Sequence, residues 1–325
     1  MSPAAHVEAL ARFLEKEWLV KPWVTWGDMG EEPLLRAWWD SNGCNEIVLS
    51  PVIPVIPAQK PVPSVSSGSE TLTTGPKVTP SVGMPAVVSG IASTIGTRSL
   101  VWHDEFDQTG LDERAWSLET FGGVEGPFNG ERQIYTNQNV RMGPSSVVIE
   151  ARKEADGRYT SSRVISGGKF SFTYGLVLVC ARMSQAKGSW PALWTLGSGT
   201  WPDCGEIDVM EHAENTWGPG RVTSSFQTKA ADFASATGFV SKGADVDVTQ
   251  WHEYSLDWTT DRVIIAVDGV ETVRLENAGK GVAQYPFVAP QSLIMNVALG
   301  GVCGGDIEDA QLPCTLEVDY VRVYQ

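Results

Sequence analysis

The stretch GEIDVMEH, Gly205–His212, decides how this 325-residue chain reads. Ile207 and Val209 are β-branched and alternate with acids, which predicts a β-strand. Side chains on a strand alternate between its faces, so Glu206 and Asp208 share one face and Glu211 falls on the other. One extra residue near Val209 and Met210, a β-bulge, would reset the alternation and bring all three carboxylates to one face. Two other readings compete: a solvated acidic strand face, and an oxygen-rich cluster for a divalent metal.

Bulged in this way, the two Glu side chains lean together across the central Asp. Carboxyl groups about 5–5.5 Å apart are the arrangement of a retaining glycosidase, one acting as nucleophile and the other as general acid and then base. Three clustered carboxylates cannot all ionise cheaply, so a proton is retained near neutrality. Sharing it leaves Glu206 ionised for attack and Glu211 protonated toward a leaving oxygen, with Asp208 between them as mediator. Just upstream, GSWPALWTLGSGTWPDC adds Trp190, Trp194 and Trp201. Aromatic faces beside paired acids suit a pyranose, whose C–H faces pack on rings while its hydroxyls need polar partners. Taken singly, each Trp reads equally well as core packing.

The rest of the chain divides into three. Val7, Leu10, Leu14 and Trp18 recur at helical spacing, and a second short helix is expected over Glu31–Asp40, so residues 1–50 read as a small Trp-rich helical module. Residues 51–97 hold eight prolines and no aromatic residue and read as an extended linker. From residue 98 to 325 strand follows strand. HEYSLDW sets Tyr254, Leu256 and Trp258 opposite Glu253, Ser255 and Asp257, and Asp268-Gly269 between two β-branched runs marks a hairpin. Strands without βαβ alternation predict an all-β antiparallel sandwich.

Bulk properties narrow the partners. A net charge of -15 argues against nucleic acid, and no window is long and apolar enough to span a membrane. An uncharged polymer suits the chain better than a sulfated one. The N-terminus lacks the pattern of a secretory signal. Five cysteines, at 44, 180, 204, 303 and 314, match no tetrahedral metal site. Cys303 and Cys314 are placed to staple a late loop under oxidising conditions, and Cys180 and Cys204 read as small buried hydrophobes.

The segment SWPALWTLGSGTWPDCGEIDVMEH resembles glycoside hydrolase family 16, in its laminarinase-like branch. LVWHDEFDQTGLDERAW, NGERQIYTNQNV, GGKFSFTYG, YSLDW, MNVALGG and VDYVRVYQ resemble further family segments in family order, so the likeness covers residues 99–325. It implies a concanavalin-like β-jelly-roll sandwich with a glycan cleft, and retaining endo-hydrolysis of β-1,3-glucan or β-1,3-1,4-glucan without a catalytic cofactor. By motif position, Glu206 is the expected nucleophile, Glu211 the acid/base and Asp208 the residue between them. Asn129, Arg163, Trp190 and Trp194 are expected to line the glycone subsites. Structural Ca2+ is implied at the backbone carbonyls of Glu105 and Gly143 and the side chain of Asp319, against ordinary strand polarity as the alternative.

The chain also departs from the family pattern. YGLVLVCAR puts Leu176, Leu178 and Cys180 where relatives carry charge, so that strand must be buried against something apolar. SSFQT puts Gln227, an expected sugar contact, where relatives often have His. GGVCGGDI lacks a usual Trp. The rival activities are an agarase or carrageenase of the same branch and a non-catalytic β-glucan-recognition protein. The N-terminal module is expected to attach to another protein or a surface assembly, and the location to be extracellular or surface- or virion-associated although no signal peptide is visible.

Overall fold

A computed structural model describes residues 95–122, 128–234 and 239–325. The expected helical module and nearly all of the expected linker lie outside them. Of the linker only residues 95–97 are described, and Ile95 is helical.

Seventeen strands follow in order: β1 Leu100–Asp104, β2 Ser117–Glu119, β3 Gln133–Tyr135, β4 Val140–Met142, β5 Val147–Lys153, β6 Tyr159–Ser161, β7 Arg163–Ile165, β8 Gly175–Met183, β9 Ser189–Gly197, β10 Glu206–His212, β11 Arg221–Gln227, β12 Val240–Asp245, β13 His252–Trp258, β14 Arg262–Val267, β15 Val270–Glu276, β16 Gln291–Leu299 and β17 Cys314–Tyr324. Between the strands, among the described residues, two short helices, α1 Glu214–Trp217 and α2 Gly301–Gly304, sit in loops. One sheet has seven strands in the order β12-β11-β10-β9-β16-β7-β2. The other has ten, ordered β15-β14-β13-β8-β17-β5-β6-β3, with β1 added on β17 and β4 on β5. This is the jelly-roll sandwich expected from the sequence.

Period-2 patterning explains the core. Tyr254, Leu256 and Trp258 of β13 are fully buried with Val177 and Val179 of β8 and Val321 and Val323 of β17. From the seven-stranded sheet, Leu193, Ile207, Phe226, Leu293 and Met295 join the same cluster. The hairpin falls where the sequence puts it, with φ of 51° at Asp268 and 75° at Gly269, the pair of positive values that a tight two-residue turn requires. Asp268 also anchors the start of β13, accepting the Glu253 backbone N–H at 2.9 Å and pairing with His252 at 2.6 Å.

The bulge in β10 is present. Asp208 pairs with Ser225 and Glu211 with Thr223, so three steps on β10 oppose two on β11. Against β9 the same slip lies between Asp208 and Met210. Val209 and Met210 both turn into the inter-sheet core, and Glu211 returns to the face of Glu206 and Asp208. Gly205 precedes the strand at φ 76°, where an added Cβ would stand 2.8 Å from Pro286 Cγ, so a glycine is required there.

Two expectations meet the structure differently. Leu176, Leu178 and Cys180 are buried as expected, in a separate cluster with Tyr320 on the face of the ten-stranded sheet away from the core. The Cys303–Cys314 pairing that the sequence leaves open is not formed: both cysteines are free, Cys314 lying in the core and Cys303 on the wall of a cleft. The two side chains serve different layers and do not meet.

Candidate active site

The outer face of the seven-stranded sheet carries a cavity floored by Glu206, Asp208 and Glu211. Trp190, Trp194 and Ala192 of β9, Ser225 and Gln227 of β11, Ser241 of β12, and Asn296 and Ala298 of β16 complete the sheet part of the lining. Loops supply the rest: Asn129 and Glu131 with Trp217, Val302 and Cys303, and Phe233 with Phe239.

Each acid is held differently. Glu206 and Asp208 are buried, while Glu211 is partly open. Trp190 donates its indole N–H to Glu211 Oε1 at 2.9 Å, fixing that carboxyl beside an aromatic face. Asp208 Oδ2 accepts the Ser225 hydroxyl at 2.6 Å and the Gln227 amide at 3.0 Å. Burial pushes the Asp208 carboxyl well above the usual carboxylate range, and the charges of Glu206 and then Glu211 push it further, against the opposing pull of Ser225 and Gln227. A low-dielectric site with three neighbouring carboxyls thus retains a proton on the middle one.

Of the expected sugar contacts, Asn129, Trp190, Trp194 and Gln227 line the cavity. Arg163 does not. It is 4% exposed, pairs with Glu119 at 2.8 Å, and sets its guanidinium 4.8 Å from the centroid of the Trp194 ring. It therefore flanks a lining residue on the same face of the sheet, directly opposite Asn296 on β16. Trp194 is fixed at its other end by Asn296, which accepts the indole N–H at 2.7 Å and is itself bonded to the Tyr135 hydroxyl. Gln227 links the acids to a loop, because its Oε1 accepts the Phe233 backbone N–H at 3.0 Å.

Sequence reasoning passed over Glu131, Trp217, Phe233, Phe239, Asn296 and Cys303. Glu131 lies two positions from Asn129 in NGERQIYT, but the chain turns between them, with φ of 53° at Asn129 and 72° at Gly130, so strand alternation does not relate the two. It is buried, accepting the Gln133 amide at 2.7 Å and the Asn129 amide at 3.3 Å. Cys303 comes from a distant loop with no local signal. Burial pushes its thiol up to about 12, so it presents a neutral wall.

The residues implied for calcium lie on the ten-stranded sheet. The Glu105 carboxylate is taken by Arg322 at 2.9 and 2.6 Å, leaving its backbone carbonyl for a cation. Burial and the charge of Glu105 push the Asp319 carboxyl up, a situation that a bound cation would relieve. Among the described residues no group of three or more His, Cys, Asp or Glu side chains is placed to hold a metal. A site here would rest on carbonyl oxygens and one carboxylate, an oxygen set suited to Ca2+.

The perturbed acid makes stability depend on pH. A carboxyl whose folded pKa stands above its unfolded value of about 4 loses stability for the fold as pH rises through that interval. Asp208→Asn removes the ionisation while its Oδ1 still accepts from Ser225 and Gln227. Melting temperature should therefore rise in the variant relative to the parent between pH 4 and pH 8, with the smallest difference at pH 4. A difference independent of pH would refute the raised Asp208.

The chain matches the family model for glycosyl hydrolases family 16 over residues 129–322. It is 39% identical over 249 residues to a β-glucanase of Rhodothermus marinus, an alignment covering 70% of this chain and 85% of that one. It is 34% identical over 247 residues to a keratan-sulfate endo-1,4-β-galactosidase of Sphingobacterium multivorum, with 72% of this chain and 57% of that one covered. The crystal structure of a laminarinase from Flavobacterium sp. UMI-01 superposes with a TM-score of 0.65 at 34% identity, covering 70% of this chain and 100% of that one. With the bulged acidic strand set in a tryptophan-walled cleft, these matches place the chain in glycoside hydrolase family 16.

Proposed function

We propose that this glycoside hydrolase cleaves β-1,3-glucan or mixed β-1,3-1,4-glucan internally, with retention at the anomeric carbon. The observation that carries the reading is the bulge, which puts Glu206, Asp208 and Glu211 on one face of a cleft walled by Trp190 and Trp194. Similarity to a β-glucanase and a laminarinase supports the substrate class.

In the first step the Glu206 carboxylate attacks the anomeric carbon while Glu211 gives its proton to the glycosidic oxygen, and the leaving sugar departs. In the second, Glu211 takes a proton from water, the water oxygen attacks the same carbon, and Glu206 is released. Asp208 holds its proton on Oδ1, since Oδ2 already accepts two hydrogen bonds, and so orients its neighbours without adding a second charge beside Glu206. Asn129, Trp190, Trp194 and Gln227 contact the sugar. Arg163 positions Trp194.

Similarity to a keratan-sulfate endo-1,4-β-galactosidase favours a second reading, agarase or carrageenase activity. The cavity lining counts against the sulfated member of that pair, because it contains Glu131, Glu206, Asp208 and Glu211 and no Lys or Arg among the described residues. A non-catalytic glucan-binding role has no use for a protonated acid between two glutamates.

Glu206→Ser should lower reducing-sugar release from laminarin by roughly 10³-fold or more while sparing laminarin binding, and the parent enzyme should give the β-anomer first by NMR. Undiminished release in the variant, or the α-anomer first, would overturn the nucleophile assignment. Activity on agarose alone would overturn the substrate.

We propose structural Ca2+ at the carbonyls of Glu105 and Gly143 and the carboxylate of Asp319. Calcium should then raise the melting temperature and a chelator lower it, with both responses lost in Asp319→Ala; identical curves in calcium and chelator would remove the site. Residues 1–50 are proposed to attach the enzyme to another protein or a surface assembly, outside the cell or on a virion. Fractionation of cells expressing the tagged full chain checks this, and recovery wholly in the cytosolic fraction would refute it.

A further inference from the structure

The tryptophans around the cleft are held in different ways. Trp190 and Trp194 donate their indole N–H groups to Glu211 and Asn296, and the Trp201 ring lies 5.8 Å from that of Phe233. Trp217 has none of these ties. It lines the cavity and is half-buried, yet it packs into no hydrophobic cluster, meets no other ring and leaves its indole N–H without a partner among the described residues. Core packing therefore does not explain this side chain. An indole with one face apolar and a donor at its edge, kept half in water on a cleft wall, is suited to a ligand that is apolar and polar by turns.

The surroundings hold the ring in place from outside the core. Helix α1 leaves β10 directly, the Trp217 backbone N–H donating to the Ala213 carbonyl at 2.9 Å, and Gly218 at φ 92° ends it. No residue of α1 is buried. Its anchorage is polar: the Asn215 amide donates to the Gly304 carbonyl at 2.7 Å and the Asp306 carbonyl at 2.8 Å, and the Thr216 hydroxyl donates to the Cys303 carbonyl. A Cβ added at Gly305 would stand 3.3 Å from Asn215 Nδ2, so that loop is kept bare where α1 meets it. The same loop carries no ring of its own between Gly301 and Gly304, but it brings Val302, 61% exposed, and Cys303 into the cavity wall. Burial and then the Glu211 charge push the Cys303 thiol up, which sets this wall beside the acid/base.

We infer that Trp217, with Val302 and Cys303 beside it, forms a sugar-stacking subsite at the Glu211 end of the cleft. Trp217 lies past the end of β10, so the sugar it meets is not the one attacked by Glu206 but another unit of the same chain. The C–H face of that unit packs on the indole, and a ring hydroxyl accepts the open indole N–H. The inference rests on the glucan-cleaving reading above and adds a chain-length preference to it. Binding at a platform away from the reacting carbon is available only to a polymer long enough to reach it.

The test measures kcat/KM of the full-length chain on laminari-oligosaccharides of increasing length. In Trp217→Ala the loss relative to the parent should grow with length to roughly tenfold on the longest, mostly through KM, and Trp217→Phe should recover much of it. An equal loss at every length, the mark of a purely structural role, would overturn the subsite. So would no loss at any length, or a Phe variant no better than the Ala one. Failure of the glucan reading looks different, as a parent chain inactive on the whole series; the same length comparison on agaro-oligosaccharides then decides the role of Trp217.

Discussion

The site depends on one extra residue. Between Asp208 and Glu211 the strand β10 slips by one position against both neighbours, β9 and β11. Both partners are themselves paired further out, β9 with β16 and β11 with β12, so the slip cannot be relaxed by sliding the strand. Without it Glu211 would point into the inter-sheet core, where an unpaired charge is prohibitive, and Met210 would point into the cleft. With it two consecutive residues, Val209 and Met210, serve the core, and the third acid returns to the other two.

That gathering has an electrostatic consequence which the surroundings contain only in part. Ser225 and Gln227 favour the charged form of Asp208, yet burial and two neighbouring carboxyls outweigh them. Neutral Asp208 is the form compatible with charge on Glu206. Trp190 does for Glu211 what the β11 side chains do for Asp208, and it does so from the ring that also walls the cleft. Positioning of the acid and binding of the sugar are therefore coupled through a single side chain, so altering Trp190 would disturb both.

Local period made much of this legible in the sequence. The strands, the Asp268-Gly269 turn and the bulge all follow from alternation and its interruption within a few residues. Arg163 could not be assigned in that way. Its motif position suggested a sugar contact, but its place is set by Glu119 on β2 and Trp194 on β9, elements far apart in the chain. Cys303 and Phe233 reach the cleft from loops whose course depends on the finished sheet. Glu131 follows Asn129 across a turn, with φ of 53° at Asn129 and 72° at Gly130, so no alternation along the chain pointed to it.

The sandwich has two outer faces, and neither obeys the simple rule of polar outside and apolar inside. The cleft face buries Gln227, Asn296, Glu206 and Asp208, polar groups that bond to one another and leave a floor suited to hydroxyl-rich polymer. The opposite face buries Leu176, Leu178 and Cys180, which make no such bonds and exclude water only when something apolar lies over them. The core consumes one side of every central strand, so what each sheet meets beyond the core is written on the other side. A buried polar network marks the face that receives sugar, while on the other face Ile95, Trp251 and Tyr324 pack against the apolar strip.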